Sequence, residues 1–268
     1  CAERLDNGTG SAVKGSVRVG WSRTAGGRML AGVFGLAVED VRPQVAGTDT
    51  IGDTSKTGGS GVAFKTGWAA HEAAQDVKRQ LIERAALIWD TDVDQVEYVD
   101  GALQHKSDNE LKLSFKEIAG QLPQTGGPVV GRANLNPTGA AGSYSANIID
   151  IELDPDTGKI DILRVTAIQD VGTAIHPDYV EGQMQGGAAQ GIGWALNEEY
   201  YMGADGGMQN TSLLDYRMPT TLDLPMIEPV MVEKPNPSHP FGVKGVGESN
   251  IAPPLGAMSN AIYDAAGI

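Results

Sequence analysis

The sequence predicts an α+β fold in which layered mixed and antiparallel sheets pack against helices, rather than a doubly wound parallel sheet. Three observations carry this. One long stretch has helical apolar spacing, two β-rich runs flank a turn, and helices alternate with strands that include hairpins. With 268 residues, the chain can form one large domain or two medium ones around a real core. A break near "LPQTGGPVVGRANLNPTGAAG" divides it into a first α+β subdomain over 1–125 and a second over 126–268.

Each element has its own signal. A helical pattern runs from Thr24 to Gly35, and its glycines mean that tertiary packing must hold it. The stretch from Trp68 to Trp89 spaces Ala73, Val77, Leu81, Ala85 and Trp89 four apart with charges between them, which predicts a long amphipathic helix. "VEYVDGALQH" reads as a hairpin turning at Asp100-Gly101. Ser114 to Glu117, "SFKE", is a capping box that opens a short helix. Alternation in Asn147–Leu153 and Lys159–Ala167, around the turn sequence "DPDTG", predicts an antiparallel pair. A helix follows from Pro177, entered through His176-Pro177-Asp178, and then a hairpin around Gly203 to Gly207. In "LLDYRMPT", Asp215 and Arg217 are expected to order backbone. "MIEPVMVEKP" is a strand, and "APPLGAMSNAIYDAAG" closes with a helix whose prolines sit in its first turn.

Composition narrows the function classes. Apolar residues make up 41%, as in a globular chain. The 36 glycines exceed ordinary usage of about 7% and gather in short patches without a collagen period. A net charge of −14 argues against nucleic acid and against an anionic membrane surface. There is no run of about 18 apolar residues and no signal peptide, so the expectation is an acidic cytoplasmic protein without a membrane span. One cysteine, Cys1, and four histidines without ligand spacing argue against a zinc site or a protein-ligated iron–sulfur cluster. A redox metal would have to arrive inside a cofactor. The chain starts without methionine and stops after an amphipathic stretch, so a fragment, a processed chain and one subunit of a complex all remain open.

Three glycine-rich patches are candidates for chemistry. "TGGSGVAFKTG", Thr57 to Gly67, precedes the long helix, where backbone N–H groups can bind an anion or an oxygen acceptor; a flexible loop is the alternative, and no Walker pattern is present. "VEGQMQGGAAQGIG", Val180 to Gly193, would place Gly182, Gly186 and Ala189 on one smooth helix face suited to close packing. Gln183 and Gln185 add amides that both donate and accept there. "GVKGVGESN", Gly242 to Asn250, sets Glu248 on bare backbone, either as a base facing a ligand or as a turn carboxylate before the last helix.

The order of these motifs is more specific than any of them alone. A Gly-Gly-Ser loop before a long helix, then "QDVGTAIHPDYVEGQMQGGAAQGIG", "DYRMPT" and "GVKGVGE" before a terminal helix, resembles the xanthine oxidase family of molybdenum hydroxylases. The likeness is to the later half of the large subunit and runs from about Ser16 to Ile268. It implies the aldehyde oxidase/xanthine dehydrogenase molybdopterin-binding fold and a molybdenum-molybdopterin cofactor, which in this family is often a dinucleotide, the cytosine form being one alternative, with the metal held by the pterin dithiolene and not by protein. Glu248 matches the family's catalytic glutamate, which would take a proton from a molybdenum-bound hydroxyl as that oxygen attacks an electrophilic carbon. Gln183 matches the glutamine that hydrogen-bonds the cofactor. Gly58, Gly59, Ser60 and Gly61 match the loop against it, while Gly245 and Gly247 let the backbone pass close to the metal centre. Lys244 would serve local charge balance.

The resemblance also implies partners: the remaining half of the large subunit, an iron–sulfur subunit and an FAD subunit, with a small-molecule substrate such as an aldehyde or an N-heterocycle. Without the missing half, neither activity nor bound cofactor is expected. Apolar faces would then be exposed, the glycine-rich first helix among them, and the isolated chain would associate. The alternative is a non-catalytic scaffold that packs with partners and holds no cofactor. A glycan- or nucleotide-binding module has little support, since aromatic residues are only 6%.

Overall fold

The computed structural model describes residues 2–4, 10–14, 22–47, 49, 56–135, 137 and 142–268. They form two compact units, one of Cys1–Gly139 with Ser238–Phe241, the other of Ala140–Pro237 with Gly242–Ile268. Residues 138–141, inside the expected break, lie outside the described residues. The architecture is α+β, as expected, and among the described residues it has three small sheets, two of them mixed.

Unit 1 is built around two helices. Helix α1 (Ser22–Phe34) and helix α2 (Val62–Trp89) share a core that includes Leu30, Phe34, Val77, Leu81 and Ala85. Helix α2 starts six residues before the spacing argument placed it, because the glycine at 67 is part of the helix and not of a loop. Gly67 is buried, and a Cβ there would run into the Met29 thioether, so glycine sets how closely the two helices approach. The apolar face of α1 is thereby covered: Met29, Leu30, Ala31 and Phe34 are buried, and the expectation that this helix exposes its apolar side is corrected.

Strands β1 (Ala2–Arg4), β2 (Gly10–Lys14), β3 (Val41–Val45) and β7 (Val130–Gly131) form one sheet in the order β3-β2-β1-β7, with β2 and β3 parallel. Strands β4 (Val96–Val99), β5 (Ala102–His105) and β6 (Lys112–Ser114) form an antiparallel meander. The β4–β5 turn falls at Asp100-Gly101, whose φ angles of 45° and 79° are those a two-residue hairpin asks for. Helix α3 (Phe115–Gln121) carries the predicted capping box: the Ser114 hydroxyl accepts from the Glu117 amide, and the Glu117 carboxylate accepts from the Ser114 amide.

Unit 2 pairs one sheet with two helices. Strands β8 (Ser145–Leu153) and β9 (Ile160–Asp170) are antiparallel across the Asp154–Gly158 turn, and β10 (Ile227–Val232) runs parallel to β9. Helix α4 (Pro177–Leu196), entered with His176 at its N-cap, makes the crossover between β9 and β10. Helix α5 (Pro253–Ala266) opens with two prolines. Val165 and Ala167 of β9 meet Ala188 and Ile192 of α4 and Met258 of α5 in the core. The hairpin expected at Gly203 to Gly207 is a turn closed by a single bridge between Met202 and Met208. No helix among the described residues is long and apolar enough to cross a membrane.

Candidate active site

The segment Gly242–Asn250 is irregular backbone in unit 2, and the end of β9 holds it. The Gly172 backbone bridges to Val243, and the Thr173 amide donates to the Gly242 carbonyl at 2.9 Å. The Asn236 amide also donates to that carbonyl, at 3.0 Å. Gly242 has a φ of 68°, and a Cβ there would stand 2.5 Å from the Thr173 hydroxyl, so both the dihedral and the space require glycine.

Charge and amide groups fix the next residues. The Lys244 ammonium pairs with the Asp170 carboxylate at 2.5 Å, with both side chains almost buried. Burial pushes the Asp170 carboxyl up, but Lys244 and the Gly172 amide outweigh it and hold it below the ordinary carboxylate range. Lys244 thus does serve local charge balance. The Gln169 amide nitrogen lies 3.1 Å from the Val246 carbonyl and 3.4 Å from that of Gly245. The Asn250 amide nitrogen donates to the Gln169 carbonyl oxygen at 2.6 Å, and the Ser145 hydroxyl donates to the Ser249 carbonyl at 2.6 Å.

Above this buried frame Glu248 is exposed, where the chain turns into the short 3₁₀ segment Ser249–Ile251 before α5. Neither Gly245 nor Gly247 has a positive φ, so the backbone dihedral does not require glycine at either position. The Gly247 carbonyl lies 3.5 Å from where a Cβ on Gly187 of α4 would stand. Gln183 is exposed on α4 one turn before Gly187, so it lies on the helix that passes the Gly247 carbonyl, in the same unit as Gly245 and Glu248.

The packing face of α4 differs from the one expected. Gly187 and Gly191 are the close-approach positions: a Cβ on Gly187 would stand 3.4 Å from that of Asn250, and one on Gly191 would collide with the Ile251 carbonyl. Gly182 and Gly186 are exposed, with nothing within 4 Å of an added Cβ. Gly182 and Gly186 therefore lie on the open side of the helix, flanking Gln183, whereas Ala189 packs on the core. Gln185 instead donates to the Ile227 carbonyl at 3.0 Å and ties α4 to β10. In the next segment the Asp215 carboxylate accepts from the Ser212 hydroxyl rather than from backbone. The Tyr216 hydroxyl donates to Glu198, which pushes its pKa up to about 12.

Gly58, Gly59, Ser60 and Gly61 lie in unit 1, at the N-terminus of α2, with Gly61 as the N-cap residue. Gly59 and Ser60 have φ of 62° and 53°, and nothing stands within 4 Å of a Cβ on Gly58 or Gly59. The first turn of α2 holds no acidic residue, and Lys65 folds back so that its Cε lies 3.5 Å from where a Cβ on Gly61 would be. Bare backbone, a helix N-terminus and a lysine suit an anionic group. Within unit 1 these residues fit an anionic part of a cofactor; within unit 2 the exposed amide of Gln183 fits a nitrogen- and oxygen-rich edge. Among the described residues, no group of three or more His, Cys, Asp or Glu is placed to hold a metal ion.

Sequence reasoning missed Gln169 and Asn250. The available signal was alternation: Val165, Ala167 and Gln169 share the buried side of β9, and an amide in that row departs from the pattern.

Residues 9–225 match the family described as the molybdopterin cofactor-binding domain. A putative xanthine dehydrogenase molybdenum-binding subunit of Escherichia coli strain K12 is 30% identical over 270 residues, covering 98% of this chain and 36% of that protein. Reconstituted CO dehydrogenase from Oligotropha carboxidovorans has a similar structure, with a TM-score of 0.88 at 27% identity, over 98% of this chain and 34% of the other. Quinoline 2-oxidoreductase from Pseudomonas putida 86 gives a TM-score of 0.86 at 26% identity, over 98% and 35%. The chain spans about a third of the length of the relatives it matches.

Proposed function

The chain belongs to the molybdopterin cofactor-binding domain family, in the large subunit of xanthine oxidase-type enzymes, and from that premise we propose that it is the cofactor-binding catalytic portion of a multi-component molybdenum hydroxylase. The reaction is oxidative hydroxylation of an aldehyde, an N-heterocycle or a similar small substrate, with water as the oxygen source. The observation that carries this reading is Glu248, an exposed carboxylate on a loop pinned from beneath by Gln169, Asn250 and the Lys244–Asp170 pair.

The backbone of Gly58, Gly59, Ser60 and Gly61 would hold anionic parts of the cofactor at the start of α2. Gln183 would offer its amide to the cofactor's polar edge. Gly245 and Gly247 leave the backbone without side-chain cover beside Glu248. When bound, the molybdopterin supplies a two-electron acceptor and polarises the oxygen that water provides. Glu248 accepts the proton released as that oxygen joins the substrate carbon, which is general-base catalysis by a carboxylate. The remaining part of the large subunit completes the substrate pocket, and companion chains carry the iron–sulfur clusters and FAD that take the electrons away.

The test uses the purified whole assembly. Glu248→Gln should lower turnover about 10³-fold or more, by the loss of the base, with molybdenum content unchanged. Near-normal turnover in that variant sinks the assignment of the base. An intact assembly without molybdenum sinks the cofactor reading and leaves a scaffold. Release of cytidine monophosphate on hydrolysis of the extracted cofactor identifies the dinucleotide form.

A further inference from the structure

We infer that Gln169 is a positioning residue for Glu248, clamping the chain on both sides of it. The inference rests on the proposed role of Glu248 as base. Gln169 is fully buried, at 0% exposure, in a strand row otherwise filled by Val165 and Ala167. An amide in a core row costs stability unless its groups are bonded, and here the irregular loop supplies the partners. Before Glu248, the Gln169 nitrogen faces the carbonyls of Gly245 and Val246, and it also lies 3.3 Å from the Ser143 hydroxyl. After Glu248, Asn250, also at 0% exposure, donates to the Gln169 oxygen.

Carbonyl oxygens only accept, so the orientation of the Gln169 amide is fixed by its surroundings. One side chain, on a rigid strand, thus grips residues two and three positions before the carboxylate and the residue two positions after it. Asn250 in turn packs on Gly187 of α4, the helix that carries Gln183. An apolar residue of similar size would fill the core equally well but would hold neither side of the turn. A departure from core patterning of this kind is expected where a site needs support.

The experiment compares Gln169→Met, Asn250→Ser and Glu248→Gln in the whole assembly. The readouts are kcat, KM, the acidic limb of the kcat profile, molybdenum content, and hydrogen exchange of residues 242–251. For Gln169→Met, kcat should fall about 10²-fold, the scale expected of a misplaced catalytic group. KM and molybdenum content should stay within about twofold, the acidic limb should move, and exchange in 242–251 should rise. A purely structural role would lower thermal stability or molybdenum content and leave the limb in place.

Unchanged kcat and limb in Gln169→Met overturn the inference. If Gln169→Met does not assemble, Asn250→Ser removes one arm of the clamp and is decided by the same readouts. If Glu248→Gln retains turnover, the base reading fails first. If Glu248→Gln is inactive while the clamp variants behave as wild type, only the positioning role fails.

Discussion

The two glycine-rich segments at Gly58–Gly61 and Gly242–Gly247 look alike as sequence and are opposites as structure. In the first, Gly58 and Gly59 are exposed and an added Cβ would meet nothing. In the second, Gly242 is wedged against Thr173 and Pro235, and the residues after it are bonded to a buried strand end. Glycine in the first leaves the backbone open. Glycine in the second lets one piece of this unit approach another. A patch of glycines in a sequence therefore does not reveal whether ligand or protein fills the space. The difference can be tested by asking what each segment tolerates.

The largest effect is expected where the closed loop depends on charge. Lys244→Met leaves the Asp170 carboxylate nearly buried without its cation. Breaking a buried pair from one side costs about 3–5 kcal/mol, so the variant should unfold at markedly lower denaturant concentration. Gly242→Ala comes next. Its positive φ and its collisions with Thr173 and Pro235 together should cost about 2–4 kcal/mol. A denaturation midpoint within error of wild type for either variant would mean that the loop is not pinned in this way.

Much of this was legible in the sequence. The Asp100-Gly101 hairpin, the Ser114 capping box and the Asp154–Gly158 turn obey local rules, so local patterns sufficed to place them. The start of α2 was read late because Gly67 looks like a helix breaker, whereas Met29 needs the space its missing side chain leaves. The face of α4 was read wrongly because Gly182 and Gly186 repeat just as well as Gly187 and Gly191. Groups brought in from about 60 residues downstream, the Ile251 carbonyl, Pro254 and Asn250 among them, separate the two stripes. Gln169 carries no local signature beyond a polar residue in an apolar row, and its partners lie about 75–80 residues away.

Acid should separate the two units by a smaller effect. In unit 1 the His239 ring is buried against Phe64 and Trp68. Its Nε2 faces the Phe64 carbonyl and its Nδ1 accepts from the Phe241 amide. Burial lowers its pKa, although the Phe64 carbonyl opposes the shift. The unfolded chain therefore takes up this proton first as pH falls. Its contribution is complete above the ordinary value of 6.5 and declines below it. Asp170 in unit 2 has a depressed pKa, so its contribution is present above the ordinary value of 3.8 and is lost as pH falls through the lower folded value. Hydrogen-exchange protection factors, which correct for the intrinsic pH dependence of exchange, should fall between pH 7 and 5 around residues 64–68 and 238–241 before they fall in 242–250. His239→Gln should flatten the first trend, and the reverse order would contradict this account.

The smallest stability effect belongs to Gly58→Ala, and its value lies in what it separates. Gly58 has no positive φ and no neighbour that a methyl group would strike. Alanine there should leave stability within about 0.5 kcal/mol of wild type, and a slight gain is expected from the less flexible unfolded chain. If the segment is open because a cofactor lies against it, the methyl group meets that cofactor instead of protein. The assembled variant should then keep its melting temperature while its pterin and molybdenum contents fall together. Gly242→Ala should do the reverse in the first respect, since its methyl group meets Thr173 of the same unit and stability falls. A Gly58→Ala variant with full pterin content would remove the open segment from the cofactor site, and the glycines at 58 and 59 would then serve only the turn into α2.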